Sequence, residues 1–371
     1  MDTLRGLAAI SVLLYHVLAT NFPPLQAGVG LTPSTSTLDN VLIFSPLHIV
    51  WLGAEAVWLF FVLSGFVLTK AATRPSFSWS AYYPSRMVRL YGPVVFAIVL
   101  AWLSYKVVPH VVHPGDAQAL TLFPTGYPLG DVVKDITLIG GTSTSLGVLW
   151  SLQWEVIFSL ALPVYLILVR KYPIPATVVA IAAALAGWAI HDQVTSYLPM
   201  FFFGALLAQY WSLIERAFRF VTGRGWVSTL SGLGLVIVAL CATTSFFLLG
   251  PWITSLGLPA RVVTLPIILI GILLIVVIGV LWRPLASVLT IPPLRFLGTI
   301  SFSLYLVHLP IVVAYAFLFN LGPWSAVLAT VTSLVVAVGF YYACERPIHK
   351  LSQKIGSGIR EREAVPTSVS S

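Results

Sequence analysis

The chain has 371 residues, of which 58% are hydrophobic and 9% charged, against roughly 25% charged in a soluble domain. That composition excludes a water-solvated globule and makes the bilayer the solvent for most of the chain. The net charge of +8 lies in short segments between apolar runs, not in one basic patch interleaved with aromatics, which argues against a nucleic-acid partner.

In chain order, apolar runs long enough to span lie at about 4–21, 48–69, 90–108, 147–169, 174–191, 195–211, 226–248, 262–282, 296–319 and 323–344. These predict an all-α polytopic membrane bundle of about ten transmembrane helices. The pair 174–191 and 195–211 is separated only by His191 and Asp192. With the N-terminus inside, only Lys106, Lys134 and Arg261 of the 20 basic residues fall outside. The other 17 lie in cytoplasmic segments, among them Arg5, Arg86, Arg89, Arg224 and Arg346. That bias places both termini in the cytoplasm. Arg5 before an apolar run has the outline of a signal peptide, but no A-x-A site follows and His16 interrupts the run.

Residues 1–345 read as one transmembrane domain without internal repeats, and 346–371 as a cytoplasmic helix end followed by a disordered tail. The outer loops 22–47 and 109–146 are the longest and are expected to cap an outer entrance. Two cysteines, Cys241 and Cys344, are too few for a disulfide framework and are expected to stay reduced. No metal-ligand spacing stands out. The chemistry therefore falls to groups within or beside the bilayer.

Titratable side chains in hydrocarbon cost several kcal/mol and need a reason to be there. His16, Glu55, Glu155 and His308 are the ones in question. On the expected spans, the two histidines lie ~18 Å up outward-running helices and the two glutamates ~11 Å down inward-running ones, so all four share one slab. The ordinary reading of a single intramembrane His is an interhelical hydrogen-bond partner, and Glu55 falls near the headgroups if its helix starts later. Arg5 and His16 are eleven residues apart, which at about 100° each brings them within about 20° of one helix face. A cation thus marks the cytoplasmic mouth and an imidazole lies about three turns deeper, although Arg5 alone would be an ordinary interface anchor. Arg86 and Arg89, at i and i+3, suit phosphate binding as a pair and membrane anchoring singly. Ser151, at i,i+4 from Glu155, is placed to hydrogen-bond it. Trp150 and Trp154 suit an aromatic belt or sugar stacking.

These segments resemble the acyltransferase type 3 family, the bacterial integral-membrane O-acyltransferases that include nodulation-factor and polysaccharide O-acetylases. The resemblance is carried by Leu4-Arg5-Gly6-Leu7-Ala8-Ala9 through Tyr15-His16, by Phe60-Phe61-Val62-Leu63-Ser64-Gly65-Phe66, and by Arg86-x-x-Arg89-Leu90-Tyr91-Gly92-Pro93. Trp150-Ser151-Leu152 leading to Glu155, Leu297-Gly298-x-x-Ser301 with Tyr305-Leu306-Val307-His308-x-Pro310, and Glu345-Arg346-Pro347 complete it. Many members carry an acidic residue just before the Phe-Phe block, where this chain has Trp58-Leu59 and Glu55 one turn earlier. Some members also carry a fused extracytoplasmic esterase-like domain, and none is expected here.

The resemblance implies an acyl-coenzyme A donor, usually acetyl, and a hydroxyl acceptor, commonly on a sugar. It also implies essential roles for Arg5 and His16, with Arg86 and Arg89 on the cytoplasmic donor side. The expected mechanism makes His16 a general base, oriented or charge-stabilised by Glu155. Tyr305 and His308, with Ser151 and Glu55, are the expected groups for the acceptor or the oxyanion. The expected setting is a bacterial inner membrane, with a cell-surface or exported glycan as acceptor. A proton-coupled transporter is the main competing class, since buried Glu and His also make proton relays. A non-catalytic scaffold is the second, and it leaves the shared depth of those groups without a reason.

Overall fold

The computed structural model describes residues 1–112, 118–138, 140–223 and 225–364, and among them there is no strand. The long helices are α1 Asp2–Asn21, α2 Ala54–Ala72, α3 Trp79–Val107, α4 Leu149–Lys171, α5 Pro173–Ile190, α6 Gln193–Gln209, α7 Trp226–Thr243, α8 Ala260–Leu281, α9 Pro292–Leu318, α10 Pro323–Phe340 and α11 Arg346–Ala364. Among the described residues, eight helices are long and apolar enough to span on their own. Two bent pairs bring the number to ten, α6 turning by 75° into Trp211–Thr222 and α7 by 49° into Ser245–Ser255. The chain is a multi-pass, all-α integral membrane protein. Both cysteines are free thiols.

The tight α5–α6 turn has a local cause. His191 takes a left-handed φ of 58, and Asp192 then caps α6 by accepting from the backbone N–H of Thr195 at 2.8 Å. The bonds from the Thr195 hydroxyl and N–H hold that carboxyl below its ordinary pKa.

Small residues set the central seam. Gly6 and Gly298 face each other so closely that a Cβ on Gly6 would stand 2.6 Å from the Gly298 nitrogen, as close helix packing in membranes requires. α1 and α9 run in parallel from there, so ten residues on in both, His16 faces His308. α3 and α4 are antiparallel. The Tyr82 hydroxyl donates to the Ser159 carbonyl at 3.2 Å, and four residues along, Arg86 reaches Glu155.

Two boundaries and one outer segment differ from the sequence reading, and each moves a candidate residue. The second span begins at Ala54, because Pro46–Trp51 is a 3-10 turn whose apolar side chains mimic membrane sequence. Glu55 therefore sits in the first turn of α2, at its outer end. α3 begins at Trp79, capped by the Ser78 hydroxyl, which accepts from the Ala81 N–H at 3.2 Å. Third, the outer segment before α4 folds inward. Tyr127 packs against Tyr105 at 5.8 Å between ring centroids, while the Tyr91 hydroxyl donates to the Thr137 carbonyl at 2.8 Å. Those tyrosines are fourteen residues apart on α3, so the short helix Leu129–Thr137, about 13 Å long, descends beside α3. α4 then starts level with Tyr305, and Glu155 lies about 9 Å further toward the cytoplasm than Leu149. The shared slab thus holds for the two histidines and fails for the two glutamates.

The C-terminal segment also differs from the expected short helix end. α10 passes through one π turn at Tyr341–Glu345 into α11, which runs to Ala364 and packs antiparallel along α3. Gly92 faces Ile348, Gly356 faces Ser85, and Ser78 donates to Glu363 at 2.8 Å. Residues 365–371, where a disordered tail is expected, and Arg224 lie outside the described residues.

Candidate active site

A cavity of about 290 Å³ opens among α1, α2, α3, α4, α9 and the α10–α11 junction. Its charged lining is Arg5 and Asp2 from α1, Arg86 and Arg89 from α3, Glu155 from α4, Glu345 from the π turn, and Arg346 from α11. Phe60, Ser64, Ser151, Tyr305 and His349 also face it.

The charges are arranged, not scattered. Arg86 Nη2 bonds Glu155 Oε1 at 2.7 Å, and Arg86 Nε donates to the Ser159 hydroxyl at 3.1 Å. The Ser64 hydroxyl donates to the same carboxylate oxygen at 3.0 Å. Arg5 is 3.5 Å from Asp2. Glu345 accepts from the backbone N–H of Ser303 at 3.1 Å and from its hydroxyl. Arg89 and Arg346 have no acidic partner within ion-pair distance among the described residues.

Beyond the cavity wall lies the imidazole pair. His308 Nε2 is 3.2 Å from His16 Nδ1. His16 Nδ1 also bonds the Val12 carbonyl at 2.9 Å, and His308 Nδ1 bonds the Leu304 carbonyl at 3.0 Å. A carbonyl only accepts, so each neutral ring carries its proton on Nδ1. His308 Nε2 is then a bare acceptor facing the His16 Nδ1–H, and His16 Nε2 is left with a free lone pair. His308 is fully buried and His16 half-buried. The position beside His16 Nδ1 expected of Glu155 is occupied by His308. Glu155 lies too far toward the cytoplasm for it and is engaged by Arg86 and Ser64.

Tyr305 joins the two regions. It lines the cavity, its ring stands 5.9 Å from that of His308, and its hydroxyl bonds Ser151 at 2.7 Å. Ser151 bonds Tyr305 and the Val148 carbonyl, not Glu155 as its spacing suggests. Phe60 packs edge-on to Tyr305 at 5.6 Å.

Glu55 belongs elsewhere. It is 1% exposed and ion-paired with Arg261, whose guanidinium carbon lies 3.6 Å from the Phe246 ring centroid. This closed outer pair does not line the cavity. Trp150 and Trp154 pack around Tyr197 and Phe61. No group of three or more metal-ligating side chains occurs among the described residues.

Asp2, Ser64, Ser159, Ser303, Glu345, Arg346 and His349 do not stand out as site residues in the sequence. Ser64 and the Glu345–Arg346 pair lie inside two of the quoted motifs, which is the available signal. His349 has none.

A family model described as an acyltransferase domain matches residues 1–342. The chain is 30% identical over 172 residues to "Acyltransferase MdmB" of Streptomyces mycarofaciens, covering 46% of this chain and 40% of that protein. It is 29% identical over 242 residues to "Nodulation protein 10" of Rhizobium leguminosarum bv. viciae, covering 59% of this chain and 61% of that protein. The matches thus span less than two thirds of either relative. No solved structure matches the chain.

Proposed function

The chain belongs to the acyltransferase type 3 family, and from that premise we propose that it moves an acyl group, acetyl in the first instance, from cytoplasmic acyl-coenzyme A to a hydroxyl. The acceptor is carbohydrate-like, on a surface or exported glycan, and the setting is a bacterial inner membrane. One observation carries this reading. An imidazole with a free Nε2 and a fixed tautomer stands one ring beyond a cavity lined with arginines.

In this reading the donor phosphates lie at the cationic mouth and the thioester reaches past Tyr305. His16 Nε2 removes the acceptor hydroxyl proton as its oxygen attacks the thioester carbonyl. His308 Nε2, a neutral acceptor against Nδ1–H, stabilises the imidazolium. Tyr305 donates to the tetrahedral oxyanion. When the C–S bond breaks, the thiolate takes the proton from His16, and the ester and free coenzyme A leave. The Arg86–Glu155–Ser64 cluster keeps the wall beneath Tyr305 rigid.

The transporter alternative needs broken helices at the binding site. The two bends at Tyr210 and Thr244 line no part of the cavity. The test compares the mass spectra of surface glycans with and without expression of the chain. An added acyl mass that disappears with His16→Ala, at equal protein level, supports the reading. Retention of that mass by the variant, or coenzyme A-independent solute uptake by the wild type, overturns it.

A further inference from the structure

Four arginines line the cavity, but they are not equivalent. Arg86 is neutralised by Glu155 at 2.7 Å and tied to Ser159. Its guanidinium spends its charge on a carboxylate and two of its five N–H donors on that carboxylate and a hydroxyl, which makes it the weaker phosphate ligand. Arg5 shares its charge with Asp2. Arg89 and Arg346 keep their N–H donors open. Among the described residues, the aromatic contact of Arg346 is with Tyr342, 5.7 Å to the ring centroid, and leaves its donors free.

The two open arginines come from neighbouring helices that share one side of the mouth. Arg89 is on α3 and Arg346 opens α11, and the antiparallel contact of those helices, with Gly92 at Ile348 and Ser85 at Gly356, brings them to the same mouth. Arg89 also lies within electrostatic reach of Glu345 and His349, the residues flanking Arg346 on the cavity side. The π turn at Tyr341–Glu345 has a visible consequence here. One wide turn rotates the helix beyond it by about one residue, and such turns concentrate at functional sites. It leaves Tyr341, Glu345, Arg346 and His349 all lining the cavity, although they span more than two turns. Ser303 on α9 fastens the turn through Glu345.

We propose that Arg346 and Arg89, side by side at the cavity mouth with their donors open, hold the phosphate groups of the acyl donor, while Arg86 holds Glu155 and touches no phosphate. This deepens the donor reading above and rests on it. Two planar guanidinium groups on neighbouring helices suit a ligand with separated phosphates, such as a diphosphate and a ribose phosphate.

The test measures binding to the full chain in nanodiscs, with coenzyme A, 3′-dephospho-coenzyme A and pantetheine as probes, so no acceptor is needed. Arg346→Gln is expected to weaken coenzyme A by about 10- to 100-fold, the loss of one charge-assisted contact. It should leave pantetheine unchanged, and Arg346→Lys should recover part of the loss. Arg89→Gln should follow the same pattern. The neutral pair Arg86→Gln with Glu155→Gln should shift coenzyme A affinity by less than about threefold. Wild-type affinity in Arg346→Gln, an equal loss for pantetheine and coenzyme A, or a large loss in the neutral pair would each overturn the assignment and leave the donor reading standing. A wild type that binds pantetheine as tightly as coenzyme A, or binds neither, defeats the donor reading and the assignment with it.

Discussion

His16 and His308 each bond the carbonyl one turn earlier on their own helix, and this backbone contact decides which nitrogen is available. An orienting carboxylate would bring a second charge into the seam. A neutral imidazole supplies the acceptor without one, at the cost of weaker stabilisation of the imidazolium. The role is separable from substrate binding. His308→Ala should lower kcat on the order of 10²-fold with KM nearly unchanged, while His308→Gln, whose amide oxygen can still accept from Nδ1–H, should fall between Ala and wild type. Steady-state kinetics in nanodiscs decides this. A rise in KM without a fall in kcat would mean that His308 binds substrate instead. The sequence shows both histidines and their common level, because each is a polar break at a similar distance along an apolar run. It does not show that they touch, since that depends on which helices are neighbours.

At the scale of helices, the imidazole contact depends on how closely α1 approaches α9. A Cβ at Gly298 would lie 2.6 Å from the Asp2 carbonyl carbon and oxygen, and backbone cannot rotate away. Gly298→Ala should therefore separate the helices and part the imidazoles, at roughly 1–3 kcal/mol of stability. A lower thermal midpoint together with lost transfer is the expected result. Gly339→Ala is the control, because its Cβ would meet nothing within 4 Å. A Gly298→Ala protein with wild-type melting and turnover would show that the seam does not set the site. The spans themselves are legible because a run of about 20 apolar residues has few alternatives. Errors arise where that rule is weakest. Trp79–Arg89 is polar yet helical, His48–Trp51 is apolar yet not part of the span, and Leu129–Thr137 is too short and amphipathic to be seen descending into the bundle. Pro347 suggests a helix end, whereas the π turn carries the helix on to Ala364. With the helix ended there, nothing in the sequence turns Arg346 and His349 toward the cavity.

For the whole molecule, two acid–base pairs divide the labour, with half-buried Arg86–Glu155 beneath the site and Arg261–Glu55 closing the outer end. A carboxylate within an apolar run brings Glu155 and Glu55 to attention equally. Their different fates depend on the helix starts, which sequence places within only a few residues. The outer end also carries a titratable weakness. His48 is fully buried, stacked on Phe247 at 3.5 Å between centroids and beside Trp51 at 4.0 Å, and its Nδ1 donates to the Ile43 carbonyl at 3.1 Å. Burial pushes its pKa down to about 4, opposed by nearby Glu55 and by the Ile43 bond and reinforced by Arg261. Above the ordinary value of 6.5 the ring is neutral in both folded and unfolded chains and adds no pH dependence. Between about 6.5 and 4 the unfolded chain takes up a proton that the folded chain refuses, so stability falls as pH falls. Over that window the loss is on the order of 3 kcal/mol, and it levels off below about 4. Thermal midpoints of the purified protein at about pH 7 and about pH 5 should therefore differ, and the difference should shrink in His48→Phe, which keeps an aromatic ring against Phe247 but cannot titrate. An equal acid shift in wild type and variant would assign the sensitivity to other groups.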